Sequence, residues 1–183
     1  MARFIQIHAL TVYAPSNLNR DDNGQPKSAK FGGANRLRIS SQALKRAIRT
    51  SDAFKARVAQ SRGERTQRLG ETIRAPLIAK GVATDKATKE ARAIAAVFGK
   101  IKPDGARDSA NRDVSTYIEQ LAFISPEERA AAFALADKVA AGEPIPTDTR
   151  ELVPLVLAKA DTATYVAMFG RMLADNPDFN REA

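Results

Sequence analysis

Gln42, Lys45, Arg46 and Arg49 recur at i, i+3, i+4 and i+7, the spacing that puts four side chains on one side of an α-helix. Leu44, Ala47 and Ile48 fall on another side. A helix of this kind packs by one face and presents an amide and three cations on the other, the donor set that meets phosphate oxygens. Immediately upstream, Arg36 and Arg38 sit in a short extended run, Arg36 to Ile39, which follows Phe31-Gly-Gly. Arg20, Lys27 and Lys30 enlarge the cationic set, and Ser40, Ser41 and Gln42 can add hydrogen bonds to phosphate or sugar. Such a set could bind a polyanion backbone and contains nothing that reads base sequence.

The charge distribution supports that chemistry. The chain has 183 residues and a formal net charge of +8, but the excess is local: residues 1–60 hold 11 Lys/Arg against 3 Asp/Glu, whereas residues 61–183 hold 18 of each. Only Asp21, Asp22 and Asp52 are at hand to neutralise the basic region. The competing interpretation is a solvated helix face whose arginines pair with scattered acids.

Other chemistries find little support. His8 is the only histidine and there is no cysteine, so no thiolate or multi-histidine metal site can form, and a structural role for His8 is expected. Asp21-Asp22 could hold magnesium, but adjacent acids in a loop more often shape a turn. No P-loop or dinucleotide glycine pattern occurs. The expectation is a protein that is not an enzyme and needs no cofactor or metal. Gly32 and Gly33 either make a turn or admit a close ligand backbone. Phe31, Phe169 and Met172 could stack or wedge against bases, or belong to a core; for Met172, beside Arg171, both readings stay open.

The elements that must position these groups follow from composition and periodicity. With 44% apolar residues the chain can bury a core. It lacks both a signal-peptide pattern and a run of about 18 apolar residues, so a soluble, cytoplasmic protein with no membrane partner is expected. Phe4 to Val12 predicts a strand, 15–33 a long loop, and Ser40 or Ser41 the N-cap of the cationic helix. Helices are expected over 67–80, despite Pro76, and over 84–98, 114–123 and 126–141, the last with Ser125 as cap and Pro126 at its first position. Asp148 can cap a further helix to about Lys159. Ala163 to Leu173, with β-formers ahead of Gly170-Arg171-Met172, predicts a returning strand and turn.

Taken together, Phe4 to His8, Pro15 to Asp22, Phe31-Gly-Gly, Arg36 to Ala47 and Phe169-Gly-Arg-Met resemble CasC, the backbone subunits of the type I-E CRISPR complex Cascade. The resemblance runs nearly end to end and is densest over residues 3–49. It implies an α+β, predominantly helical fold: a partial RRM/ferredoxin-like palm over 1–51, a large inserted helical fingers domain over 52–160, and a truncated palm return over 161–183. It also implies a non-catalytic subunit that binds CRISPR RNA, other Cascade subunits and copies of itself, meeting target DNA only through the guide. Carried over by motif, Arg20, Lys27, Arg38, Ser40, Gln42, Lys45, Arg46 and Arg49 would contact guide phosphates and sugars, and Met172 would lie beside the RNA. Family members are longer, so the resemblance implies either a fragment or a naturally shortened homologue, without the remaining palm strands and thumb. A shortened homologue that docks on or interferes with Cascade as a protein-interaction module is the alternative.

Overall fold

The computed structural model describes residues 11–157 and 163–181, and these form two compact units, 1–51 and 52–183. The mixture is α+β with helix predominant and two small two-stranded sheets.

In the first unit, strands β1 (Ser28–Phe31) and β2 (Ala34–Leu37) form an antiparallel hairpin, so the loop expected up to Gly33 gives way to a strand in its last part. Gly32 and Gly33 make its two-residue turn at φ +62° and +79°, the left-handed pair that matches strand twist and that only glycine adopts cheaply. Helix α1 (Ser41–Thr50) follows. Its cap is Ser40, whose Oγ accepts the backbone N–H of Ala43 at 3.2 Å. The strand expected over 4–12 lies mostly outside the described residues, as does His8; Thr11 and Val12 are not in a strand.

The second unit packs helices α3 (Leu69–Ala79), α4 (Thr84–Ala96), α5 (Pro126–Ala140) and α6 (Thr149–Val156) around one core. Leu69, Ile73 and Leu77 recur every fourth residue of α3 and are almost fully buried, each worth about 1.5–3 kcal/mol against exposure. Facing them, Ala87, Ala91 and Ala95 of α4 and Ala132 and Ala136 of α5 let the helix backbones approach closely. Helix α3 continues through Pro76, and Asp148 caps α6 by accepting the N–H of Arg150 at 2.8 Å. Helix α2 (Asp52–Arg57) opens the unit, and strands β3 (Glu64–Thr66) and β4 (Ala122–Ile124) pair antiparallel across almost sixty residues. Gly63 permits that pairing, since a Cβ there would stand 2.8 Å from the Ile124 carbonyl oxygen.

Two expectations fail. Residues 114–123 are not helical: Asp113 Oδ1 accepts the N–H of Ser115 at 2.9 Å, Arg92 bonds the Ser115 carbonyl, and the segment ends in β4. Its backbone groups are thus committed outside a helix. Residues 163–173 are not a strand either. Helix α7 (Thr164–Phe169) stands there, because Tyr165 and Phe169 at i, i+4 both reach Phe54, with ring centroids at 5.8 and 6.2 Å. A helix puts both rings on one aromatic cluster, and strand propensity yields to that packing.

Candidate nucleic-acid interface

The hairpin register sorts the basic residues onto faces. Ala29 opposes Arg36 and Phe31 opposes Ala34, and Arg38 N–H donates to the Lys27 carbonyl at 2.8 Å, extending the ladder by one pair. Side chains alternate along a strand, so Lys27, Arg36 and Arg38 share one face with Phe31, and Lys30 lies on the other. Arg36 stacks on Phe31, its Cζ 5.8 Å from the ring centroid, while its Nε donates to the Phe31 carbonyl at 3.1 Å. That arrangement fixes the guanidinium without a carboxylate.

Asn19, within the stretch expected to be a long loop and given no role by sequence reasoning, ties that loop to the helix. Its Oδ1 accepts the N–H of Ser40 at 2.8 Å, and its carbonyl accepts that of Lys27 at 2.8 Å. Arg20 pairs with Pro26 in an isolated bridge beside it. Asp21 shapes the intervening turn, its Oδ1 accepting the N–H groups of Asn23 and Gln25, each at 2.9 Å. No cluster of three or more potential metal ligands occurs among the described residues.

On α1, Gln42, Lys45, Arg46 and Arg49 occupy one side as spaced, with Gln42 and Arg46 exposed and Lys45 and Arg49 half-buried. Ser40 is buried, and its oxygen already caps the helix, so only its hydroxyl proton remains to donate. Among the described residues, none of Arg20, Lys27, Lys30, Arg36, Arg38, Lys45 and Arg46 forms an ion pair. The second unit contrasts with this: Arg74, Lys80, Arg92, Lys100, Arg112, Arg129 and Arg171 all have carboxylate partners there. Arg20, Lys27, Lys30, Arg38, Lys45 and Arg46 therefore have no carboxylate drawing on their charge among the described residues.

Met172 belongs to the second unit and is 76% exposed. It follows a turn made by Gly170 at φ +71° and held by Arg171, which sequence reasoning noted only as a neighbour. The Arg171 side chain is buried. Its Nη1 donates to both carboxylate oxygens of Glu128 at 2.7 Å, and its Nε and Nη2 donate to the Phe179 carbonyl at 3.3 and 3.1 Å. Glu128 also closes the capping box of α5, its carboxylate accepting the N–H of Ser125 at 3.0 Å while Ser125 Oγ accepts the N–H of Glu128 at 3.1 Å. The Ser-Pro-Glu-Glu motif thus anchors the Met172 turn as well as starting a helix.

Lys27, Lys30, Arg36 and Arg38 of the hairpin and Lys45 and Arg46 of α1, none of them in an ion pair among the described residues, make a cation-rich surface joined in sequence to a helical body, an arrangement chemically suited to a polyanion. Residues 5–183 match the family described as CT1975-like protein, and the chain belongs to that family of Cas proteins. No match was found among curated proteins. Solved structures are similar: a chain of a CRISPR RNA-guided surveillance complex, pre-nicking, is 29% identical with a TM-score of 0.65, the match covering 92% of this chain and 46% of that one. A chain of another CRISPR RNA-guided surveillance complex is 27% identical with a TM-score of 0.62, covering 93% of this chain and 53% of that one. The chain therefore spans about half the length of the solved chains it matches. No helix among the described residues is long and apolar enough to cross a membrane.

Proposed function

We propose that this chain is a non-catalytic CRISPR RNA-binding backbone subunit of a cytoplasmic type I-E Cascade complex, or the corresponding part of one. It grips the guide through phosphates and sugars without reading its sequence. The first unit belongs to an RRM-like palm and most of the second to the fingers, while other Cascade subunits and further copies of the chain are its protein partners. Target DNA meets it through the guide. The observation that carries this reading is that Lys27, Lys30, Arg36 and Arg38 of the hairpin and Lys45 and Arg46 of α1 form no ion pair among the described residues. Lys27, Arg36 and Arg38 on one strand face and Lys45 and Arg46 on one helix side suit a sequence-blind backbone grip.

The test is binding of the purified chain to a CRISPR RNA and to an unrelated single-stranded RNA over a salt series. Both RNAs should bind alike, and Lys45→Ala/Arg46→Ala should flatten the slope of log K against log salt by about 1.4, or 0.7 for each lost phosphate contact. An unchanged slope would refute the assignment of the helix face. A second reading, a protein-interaction module that docks on Cascade, is favoured by the exposure of Leu44 and Ile48 on α1. It requires binding to Cascade subunits that survives the same double substitution.

A further inference from the structure

Asp21 and Asp22 take no part in the grip proposed above, yet Asp21 organises the loop that carries Arg20 and Lys27. Arg20 and Pro26 form an isolated bridge, the Asp21 N–H donates to the Gln25 carbonyl at 2.8 Å, and the Gly24 N–H donates to the Asp21 carbonyl at 3.1 Å. Asp21 Oδ1 accepts the backbone N–H groups of Asn23 and Gln25, each at 2.9 Å, and the Gly24 carbonyl accepts from Asn17 Nδ2 at 3.2 Å. At the tip of this turn Asn23 and Gly24 are exposed, and the Asn23 side-chain amide has no hydrogen-bond partner among the described residues. Of the seven asparagines in the chain, Asn23 is the one followed by glycine.

An Asn-Gly pair carries its own reaction, because glycine has no Cβ to keep the preceding side chain from its nitrogen. The Gly24 nitrogen attacks Asn23 Cγ: the N–Cγ bond forms, the Cγ–Nδ2 bond breaks, and the side-chain nitrogen leaves as ammonia with the proton that Gly24 gives up. A five-membered succinimide results. Water then opens it at one of two bonds. Breaking N–Cγ gives aspartate; breaking the bond from the nitrogen to the Asn23 carbonyl carbon gives isoaspartate, whose main chain runs through Cγ. We propose that Asn23 is a self-modification site of this kind, and that the Asp21 turn sets its rate by holding the attacking N–H on the Asp21 carbonyl. Either product adds a carboxylate to the segment between Arg20 and Lys27, where Asp21 and Asp22 are the only acids. Isoaspartate also lengthens the main chain by an atom and unseats the Arg20–Pro26 bridge. The effect on RNA binding rests on the function proposed above, whereas the chemistry stands without it.

The experiment incubates the purified full chain at neutral and at alkaline pH and follows the peptide 21–27, which trypsin releases by cutting after Arg20 and Lys27, by mass spectrometry. Its other amide, Gln25, precedes Pro26, whose nitrogen has no proton to give up, so the amide-to-acid mass gain reports on Asn23. The gain should accumulate faster at alkaline pH, an isoaspartate methyltransferase should label the product, and Asn23→Gln should remove both signals. Asp21→Ala should speed conversion about 5- to 30-fold, the factor for one or two hydrogen bonds that must open. Asp22→Ala, which removes a nearby exposed carboxylate and none of the turn's bonds, should change the rate by less than about twofold. Asn23→Asp, standing for the product, should weaken RNA binding about 2- to 5-fold at low salt and little at high salt. No conversion in Asp21→Ala under conditions that convert a synthetic peptide 21–27 would overturn the site. Equal rates in Asp21→Ala and the parent would overturn the control by the turn. If peptide 21–27 converts while Lys45→Ala/Arg46→Ala leaves RNA binding unchanged, the modification site stands and the α1 grip fails.

Discussion

Replacing Arg171 by methionine probes the most deeply buried polar interaction in the molecule. The side chains of Arg171 and Glu128 are 1% and 0% exposed, and the arginine donates to both carboxylate oxygens and to the Phe179 carbonyl. Arg171→Met keeps the volume roughly constant but leaves Glu128 buried with the Ser125 N–H as its one remaining hydrogen-bond donor. Removing one partner of a buried pair costs about 3–5 kcal/mol, because the desolvation of the survivor is no longer offset. For a unit of this size the melting temperature should fall by roughly 10–20 °C. In Glu128→Gln/Arg171→Met the charge is removed from both sides, and glutamine can still close the capping box. That double variant should recover to within about 2 kcal/mol of the parent. Urea melts of the two single variants and the double variant close a cycle whose coupling measures the pair itself. A cost below about 1 kcal/mol for Arg171→Met, or strict additivity, would refute the argument that this ion pair fixes the Met172 turn.

Three more predictions follow from particular contacts. Gly70→Ala should destabilise the second unit by about 2–3 kcal/mol in urea melts, because its Cβ would collide with the Thr116 carbonyl oxygen, a backbone atom that cannot swing aside. Ser40→Ala removes the α1 cap and should cost about 1 kcal/mol, read as faster amide exchange in the first turn of that helix; unchanged exchange would contradict the cap. Asp113 is held at a pKa of about 2 by hydrogen bonds from Ser115 and then by Arg74, below its ordinary 3.8. Its contribution is therefore full above about pH 4 and lost as pH falls through about 2. Because the Asp113 side chain is 39% exposed, that contribution is about 1 kcal/mol after solvent screening, and Asp113→Asn should abolish this part of the acid sensitivity.

Local chemistry in the sequence determined the pieces whose signals lie within a few residues. Ser40 and the i, i+3, i+4, i+7 cations gave α1, Ser125-Pro126 with Glu128 gave α5, and Gly32-Gly33 gave a turn, because caps and positive-φ turns are short-range. The cationic set was legible for the same reason: charge needs no fold to be counted. What tertiary structure decided are the outcomes of long-range pairing. Strands β3 and β4 meet across almost sixty residues, and Arg92 commits the Ser115 carbonyl, so 114–123 could not remain the helix its composition suggested. Tyr165, Val166 and Phe169 read as strand formers, yet the Phe54 and Phe123 rings reward a helix that stacks them on one side. The Glu128–Arg171 pair spans 43 residues, and although the Ser-x-x-Glu spacing marks Glu128 as the capping-box residue, no local pattern directs its carboxylate to Arg171. Burial assigned that charge its partner, and burial is a property of the folded chain.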